Sequence, residues 1–539
     1  MKKQTFTGLM LAATLFLCAF STFRGEQGTG AANVVSSVTP VDTTRGGTIW
    51  THSFSTGGTS YNSIPILGET AIYLVNGNTL YELAYEDGRM LRKHTLCAKM
   101  NSVCNLLLHD HSLYIPLSGG KMECVDITSM TSLWQSDSFG GQSLSTVFFH
   151  EGYLYAGSTA INAQGTTGIF YCLDASDGTT KWTYEDKDHT GGYYWSGGIV
   201  HDDALYFTGD NGILVSHSLL EDKVMDRFTL SETAKIRAGL TYCDETDALY
   251  TVSTDGILYE IKTENQKIKT VNKASILPEA GQLYTTSTPT LYNHRIYIGC
   301  IADQTGCIAV MDTDGLQPVY PVKGPHLAEV KSSPLVSTRG DKSGKVTVYF
   351  SANAQPGGLY YFTDSPEATK ASWQTLFIPA AARQFCLSSI TAGTDGTLYY
   401  SNDSGTLFAV REVEESSDRI LLPSPTAAPT PSPTPAPGKT APPVTKKVVK
   451  KPKKPGSVKI VKKKKKLVLR WKRKTKNSQT VITYRVGSGK WKKKIIKKKC
   501  MYSLSIRNKK KLRIRLRSRI KKQGVWIYSG YTKTFPFKC

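Results

Sequence analysis

Leu173-Asp174-Ala175-Ser176-Asp177-Gly178-Thr179-Thr180-Lys181-Trp182 holds a β-hairpin in ten residues. An apolar residue ends one strand, a polar turn closing on Gly178 follows, and alternation resumes towards a tryptophan. Glycine turns of this kind join antiparallel strands. The arrangement returns in Val125-Asp126 with Leu133-Trp134, and in Leu83 to Gly88. Upstream of each lies a Leu-Tyr or Ile-Tyr pair (once Val-Tyr) inside a short apolar run. Its tyrosines are Tyr73, Tyr114, Tyr155, Tyr206, Tyr250, Tyr297, Tyr349 and Tyr399, spaced 41 to 52 residues apart. Second-strand segments such as Asn76 to Leu83, Asp255 to Ile261 and Asp403 to Val410 follow turns rich in Gly, Asn or Asp. Many units open on a small-residue step: Ser63-Ile64-Pro65, Ser287-Thr288-Pro289, Ser332-Ser333-Pro334, Ser388-Ser389-Ile390. A period of this length with period-two alternation and almost no helical spacing specifies repeated four-stranded units.

These units resemble the pyrroloquinoline-quinone (PQQ)-like repeat family, whose blades read Leu-Tyr-x-Leu-Asp-x-x-x-Gly-x-x-x-Trp. The resemblance covers roughly residues 46 to 412 and implies a β-propeller. A single four-stranded blade cannot bury both faces, so blades stack around an axis. The last unit ends near Val413 without a tryptophan strand, while Gly46 to Phe54 stands unpaired before the first. Ile49 and Trp50 are therefore expected in the outer strand of the last blade, clasping the ring and covering an open edge. The predicted fold is all-β: an eight-bladed propeller (seven if one degenerate unit is a long loop) plus a small C-terminal β-sandwich.

The organisation predicted is a signal peptide over 1–21, an N-terminal segment over 22–45, the propeller over 46–415, a Pro/Thr-rich linker over 416–445 and a basic domain over 446–539. Lys2 and Lys3, the apolar run Gly8 to Phe20 and the small residues Ala19 and Ser21 carry the signal peptide. Leu17 stands where a lipoprotein box before Cys18 would need a small residue. The chain is expected to be secreted, extracellular or cell-wall associated, with no transmembrane span. Export permits disulfides. Cys97 with Cys104, Cys300 with Cys307 and Cys500 with Cys539 are the pairings that proximity offers; buried free thiols are the alternative.

Charge divides the chain. It carries 67 basic and 43 acidic residues, yet Val444 to Cys539 holds 37 Lys plus Arg and no Asp or Glu, so everything before is acidic. That asymmetry predicts contact with a polyanion through Lys462, Lys463, Lys464, Lys465, Lys466, Lys492, Lys493, Lys494, Arg513, Arg515 and Arg517. Leu467 to Trp471, Val481 to Val486 and Leu512 to Ser518 alternate as strands, and their order resembles fibronectin type III-like modules of bacterial surface proteins.

Chemistry is sparse. The PQQ resemblance would imply a quinone, a calcium held by carboxylates and a catalytic Asp, but the adjacent cysteines of alcohol-oxidising members are absent and no calcium triad assembles. PQQ and calcium therefore stay open with no cofactor assigned, and no catalytic or metal residue is assigned. His109-Asp110-His111 and Asp312-Thr313-Asp314-Gly315 have metal-like spacing, but both fall where hairpin turns are expected. Tyr193-Tyr194-Trp195 is the dense aromatic cluster outside strand cores, suited to packing or to stacking of a sugar or peptide at a channel mouth. The expected function is a secreted scaffold whose propeller binds a protein or glycan. Its basic tail would hold an anionic cell-envelope polymer or surface glycan, without specific nucleic-acid binding. A PQQ- or metal-dependent oxidoreductase and an envelope-protein assembly factor are the alternatives.

Overall fold

The computed structural model describes residues 34–35, 39, 46–412 and 452–538, apart from short segments inside the last two ranges. The predicted signal peptide and Pro/Thr linker lie outside the described residues. The chain divides into two compact units, one ending at Ala428 and the other beginning at Pro429.

The first unit is a β-propeller. Among the described residues it holds eight sheets of four or five strands, antiparallel but for one pairing, built on 66–95, 107–135, 148–185, 198–229, 241–275, 283–323, 335–377 and 391–412. We number these blades 1 to 8. A two-stranded hairpin, Ala160–Asn162 with Gly165–Thr167, is inserted in blade 3. The outer strand of blade 8 is Gly46–Ser53, which pairs antiparallel with Thr406–Glu412. The clasp expected from Ile49 and Trp50 thus joins the first strand of the ring to its last blade.

The repeat has a physical cause at each position. The eight tyrosines all lie buried on second strands, at the contacts between successive blades. The Leu-Asp-x-x-x-Gly turn is a seat for the preceding blade's tryptophan. Trp134 donates through Nε1 to the Ala175 carbonyl at 3.0 Å, and Trp50 donates to the equivalent Tyr85 carbonyl at 2.8 Å. Beneath the rings lie Gly178 and Gly88, with φ of 75° and 67°. A Cβ on either would stand 2.4 Å and 2.3 Å from the indole. Asp174 caps the same turn, accepting from the Ser176 amide at 3.0 Å and its hydroxyl at 2.6 Å.

The small-residue steps form the axial ring. The first serine is buried and locks its own blade: Ser63, Ser287 and Ser332 accept through Oγ from the amides of Val75, Gly299 and Ser351. The second residue joins the next blade. The amides of Gly239, Thr288 and Ser333 donate to the hydroxyls of Thr288, Ser333 and Ser389 at 2.9, 3.1 and 3.1 Å. Thr391 donates to the Pro65 carbonyl at 3.0 Å, carrying the ring from blade 8 to blade 1.

The segment before the clasp strand, read only as an N-terminal segment over 22–45, contributes an element to the propeller. Val34–Val35 pairs in parallel with Val336 and Ser337 on the innermost strand of blade 7. Thr39 is buried there, donating to the Ser337 hydroxyl at 2.8 Å and accepting from the Tyr349 hydroxyl at 3.0 Å.

The described cysteines are free thiols. Cys300 and Cys307 do meet, as opposed residues on adjacent strands of blade 6, both buried. Cys539 lies outside the described residues.

The second unit is a β-sandwich. One sheet holds Gly456–Lys463, Lys466–Lys472 and Met501–Ser505; the other holds Lys492–Ile496, Gln479–Val486, Lys511–Lys522, Val525–Tyr528 and Phe535–Lys538. Leu467, Leu469 and Trp471 from the first pack against Ile482, Leu512, Ile514 and Leu516 from the second.

The glycine seats give a direct test. Gly178→Ala combines a left-handed φ with a ring in the way and should cost about 3 kcal/mol. Gly77→Ala shares the left-handed φ but meets no atom within 4 Å, and should cost about 1 kcal/mol. Thermal unfolding midpoints of the two variants should separate in that order.

Candidate functional site

In each blade the crossover from the preceding outer strand and the turn between the second and third strands open on the same rim. Three such loops converge between blades 3 and 5. Tyr194 and Trp195 come from the crossover into blade 4. Asp210 comes from the turn after Ala204–Thr208, and Lys235 and Arg237 from the crossover into blade 5.

Arg237 is the hub. Its Nε and Nη2 donate to the two oxygens of Asp210 at 3.0 and 2.9 Å, and Nη2 also donates to the Tyr194 hydroxyl at 3.0 Å. Its guanidinium stands 5.7 Å from the Tyr194 ring centroid and 5.6 Å from that of Trp195, within cation–π range. Lys235 approaches Asp210 at 3.4 Å. Asp210 is nearly fully buried, so without these cations it would be a desolvated charge. The Asp210 hydrogen bonds raise the Arg237 pKa further above its ordinary value. Trp195, 36 % exposed, and Tyr284, 37 % exposed, offer aromatic surface at this rim.

The three aromatics of the sequence motif part company. Trp195 faces solvent and Tyr194 is half-buried against Arg237. Tyr193 belongs to the core: it is 1 % exposed and packs edge-on against Phe170 and Phe207. Its hydroxyl accepts from Asn211 at 3.0 Å, and Asn211 also donates to Asp186. Asn211 thus anchors Tyr193, and Asp210 holds the Arg237 that bonds Tyr194.

Asp186, Asp188 and His189 are the one grouping of three possible metal ligands among the described residues. Arg227 lies inside it, 2.7 Å from Asp186 and 3.5 Å from Asp188. Burial works to raise the Asp186 pKa, but Arg227, the Asp188 amide and His189 outweigh it and leave it lowered. A guanidinium within the set already supplies the positive charge. His109 stacks on Phe149 at 3.8 Å beside a turn with Asp110 at φ 52°. Asp312 accepts from the Asp314 amide in the turn closing on Gly315. Both motifs are hairpin turns in the structure.

On the opposite rim, an open cleft of about 810 Å³ is lined by Glu260, Lys262, His294, Arg295, Asp312 and Thr313, among others. His294 Nδ1 stands 3.3 Å from Thr313 and 3.6 Å from Glu245, so one nitrogen faces both groups and no relay through the ring is formed.

Asp403, on the second-to-third turn of blade 8, is a rim residue without a signal in the sequence. Burial pushes its carboxyl up to about 6, and its amide donates to the carbonyl of the exposed Phe385.

Residues 34–270 match a family model described as outer membrane protein assembly factor BamB. The match is to less than half of the chain. No curated protein sequence matches. Among solved structures, the quinohemoprotein alcohol dehydrogenase ADHIIG from Pseudomonas putida HK5 aligns with a TM-score of 0.55 at 11 % identity, over 74 % of this chain and 82 % of that one. The quinohemoprotein alcohol dehydrogenase from Comamonas testosteroni gives 0.54 at 10 % identity, over 73 % and 81 %. A europium-containing methanol dehydrogenase gives 0.51 at 11 % identity, over 68 % and 86 %. At these identities the likeness is one of fold: a propeller with PQQ-like repeats.

The fold's cofactor sets a test that Asp210 and Asp186 meet poorly. A calcium-bound quinone needs carboxylates open to a dication. Asp210 is closed by Arg237 and Lys235, and Asp186 by Arg227 and Asn211. The inner edge of blade 7 is covered by the chain's own Val34–Val35.

Asp403 predicts a pH dependence. Its folded pKa, about 6, lies above the ordinary value of about 3.9. From pH 4 to 6 the folded state therefore holds a proton that the unfolded state has released, so stability falls as pH rises through that window and stays lowered above it. Asp403→Asn should flatten that part of the profile and raise the unfolding midpoint at pH 7 but not at pH 4.

Proposed function

We propose that the chain is a secreted binding scaffold. The propeller rim around Trp195 and Arg237 takes a glycan or a polar protein segment, and the basic module holds anionic envelope polymers or surface glycans. The observation that carries the first half is Arg237, fixed by Asp210 and flanked by Tyr194 with Trp195 open beside it. A preformed cation next to an exposed indole suits a ring that stacks and offers oxygens. Supporting the second half is a module with no acidic residue and many cations. We read that module as fibronectin type III-like. Its strands, counted in order, pair first–second–fifth in one sheet and fourth–third–sixth–seventh in the other, with the eighth also on the sixth, which suits that architecture.

We read the scaffold as working without PQQ or calcium, since the rim carboxylates Asp186 and Asp210 are already matched by arginine and lysine. The likeness to alcohol dehydrogenases is one of fold, and fold alone does not bring an activity. The match over 34–270 supports a second reading, an envelope-protein assembly factor, in which the same rim would take a polypeptide.

Glycan and peptide panels probed with the full chain test the rim. Trp195→Ala should lose about tenfold in affinity for whatever is captured, the scale of one aromatic contact. Arg237→Lys, which keeps the charge but not the fork, should lose a similar factor. Unchanged affinity in both variants would remove the rim as the site. Dye-linked alcohol oxidation on titrating PQQ with calcium would replace the scaffold reading with an oxidoreductase.

A further inference from the structure

We propose that the outer face of the five-stranded sheet in the basic module seats a linear phosphodiester polymer, laid along the strand Lys511–Lys522. This rests on the reading of the module as a polyanion anchor and says which surface does the anchoring and for which anion.

The strand alternates without a break. Leu512, Ile514, Leu516 and Ser518 are buried, the first three in the sandwich core. Arg513, Arg515, Arg517, Arg519 and Lys521 occupy the other side, the arginines partly exposed and the lysine exposed. Side chains on one side of a strand repeat every two residues, about 6.7 Å, so five cations form a row about 27 Å long. The neighbouring strand adds no opposing charge. Gln479, Val481, Thr483 and Arg485 stand opposite Arg519, Arg517, Arg515 and Arg513. Gln479 accepts from Arg519 Nε and Nη2 at 3.0 and 2.8 Å, fixing that guanidinium in place. Val481 is fully buried in the column of Arg517. Arginine stems can cover an apolar residue while the charged ends remain outward.

Other described lysine side chains are placed differently. Lys492 and Lys494 share the columns of Tyr484 and Ile482, on the core side of the sheet at its edge. On the three-stranded sheet Lys459, Lys466, Arg470 and Lys472 are exposed, but Val461, 50 % exposed, and Met501, 45 % exposed, interrupt them. Only the Arg513–Lys521 row is continuous among the described cations. Its members are mostly arginine, whose planar fork matches the two free oxygens of a phosphodiester. A row of evenly spaced guanidiniums, with Arg519 fixed by Gln479, fits an anion that repeats along a chain better than one compact polyanion.

The test uses the full chain and measures affinity for poly(glycerol phosphate) as salt is raised, with polygalacturonate as the carboxylate comparison. For wild type, log K should fall linearly with log salt. The triple variant R513Q/R515Q/R517Q should flatten that slope by about 2, since each phosphate of a single strand that is no longer neutralised removes about 0.7. An equal charge reduction on the other sheet, K459Q/K466Q/K472Q, should change it by less than half as much. R513K/R515K/R517K, which preserves charge and stems if the glutamine variant does not fold, should keep the slope and lose affinity several-fold. Equal effects of the two glutamine triples, or polygalacturonate bound as tightly as the phosphate polymer, would overturn the proposal while leaving the anchor standing. No binding of either polymer by wild type at low salt would remove the anchor itself and the proposal with it.

Discussion

A ring of sheets is only as closed as its last seam, and here the seam is one strand drawn from the far end of the propeller's own sequence. Gly46–Ser53 pairs with Thr406–Glu412, so the outer strand of blade 8 is supplied by residues that precede blade 1. Without it, blade 8 would expose a row of unpaired amides and carbonyls. Trp50 would also leave its seat above Gly88, and the blade 8 to blade 1 packing would go with it. The Thr391 bond to Pro65 joins the same two blades at the axis. The seam is therefore held at both radii.

Features held within one turn are legible in the sequence. Asp174 and Gly178 sit within one turn, and the tryptophan that belongs above them recurs at a fixed place in the repeat. Such features leave a periodic trace in composition. The Ser-x-Pro steps leave the same trace, but their role does not. That Thr288 accepts from Gly239 and donates its amide to Ser333 depends on residues 49 and 45 positions away. Nothing in a window around Thr288 records which blade lies beside it.

The rim site shows the same division. Tyr193-Tyr194-Trp195 stands out as a cluster because aromatics are conspicuous in a loop. Arg237 and Asp210 do not, because each looks like an ordinary loop charge until the fold brings them together across 27 residues, and Arg237 to Tyr194 across 43. The turn at 194–196 also splits the aromatic triplet, sending Tyr193 inward and leaving Trp195 outside. Val34 and Val35 are illegible for another reason. Two valines specify a strand no better than many other pairs, and their partner is some 300 residues on.

The basic module raises a balance that the propeller does not. Each described ion pair in the chain lies in the acidic body, because the module has no carboxylate side chain to offer. Arg513, Arg515, Arg517 and Arg519 sit two residues apart on one strand of a module that carries no carboxylate side chain of its own. Like charges at that spacing repel, and the cost is largest at low ionic strength. The sandwich core of Leu467, Leu469, Trp471, Ile482, Leu512, Ile514 and Leu516 has to outweigh that repulsion. A bound polyanion acts in the same direction as the core, since it binds the folded array of cations better than a loose chain and so stabilises the fold by mass action. In the proposed anchor, a surface that is costly when bare and favourable when covered links the module's stability and its attachment through the same four arginines.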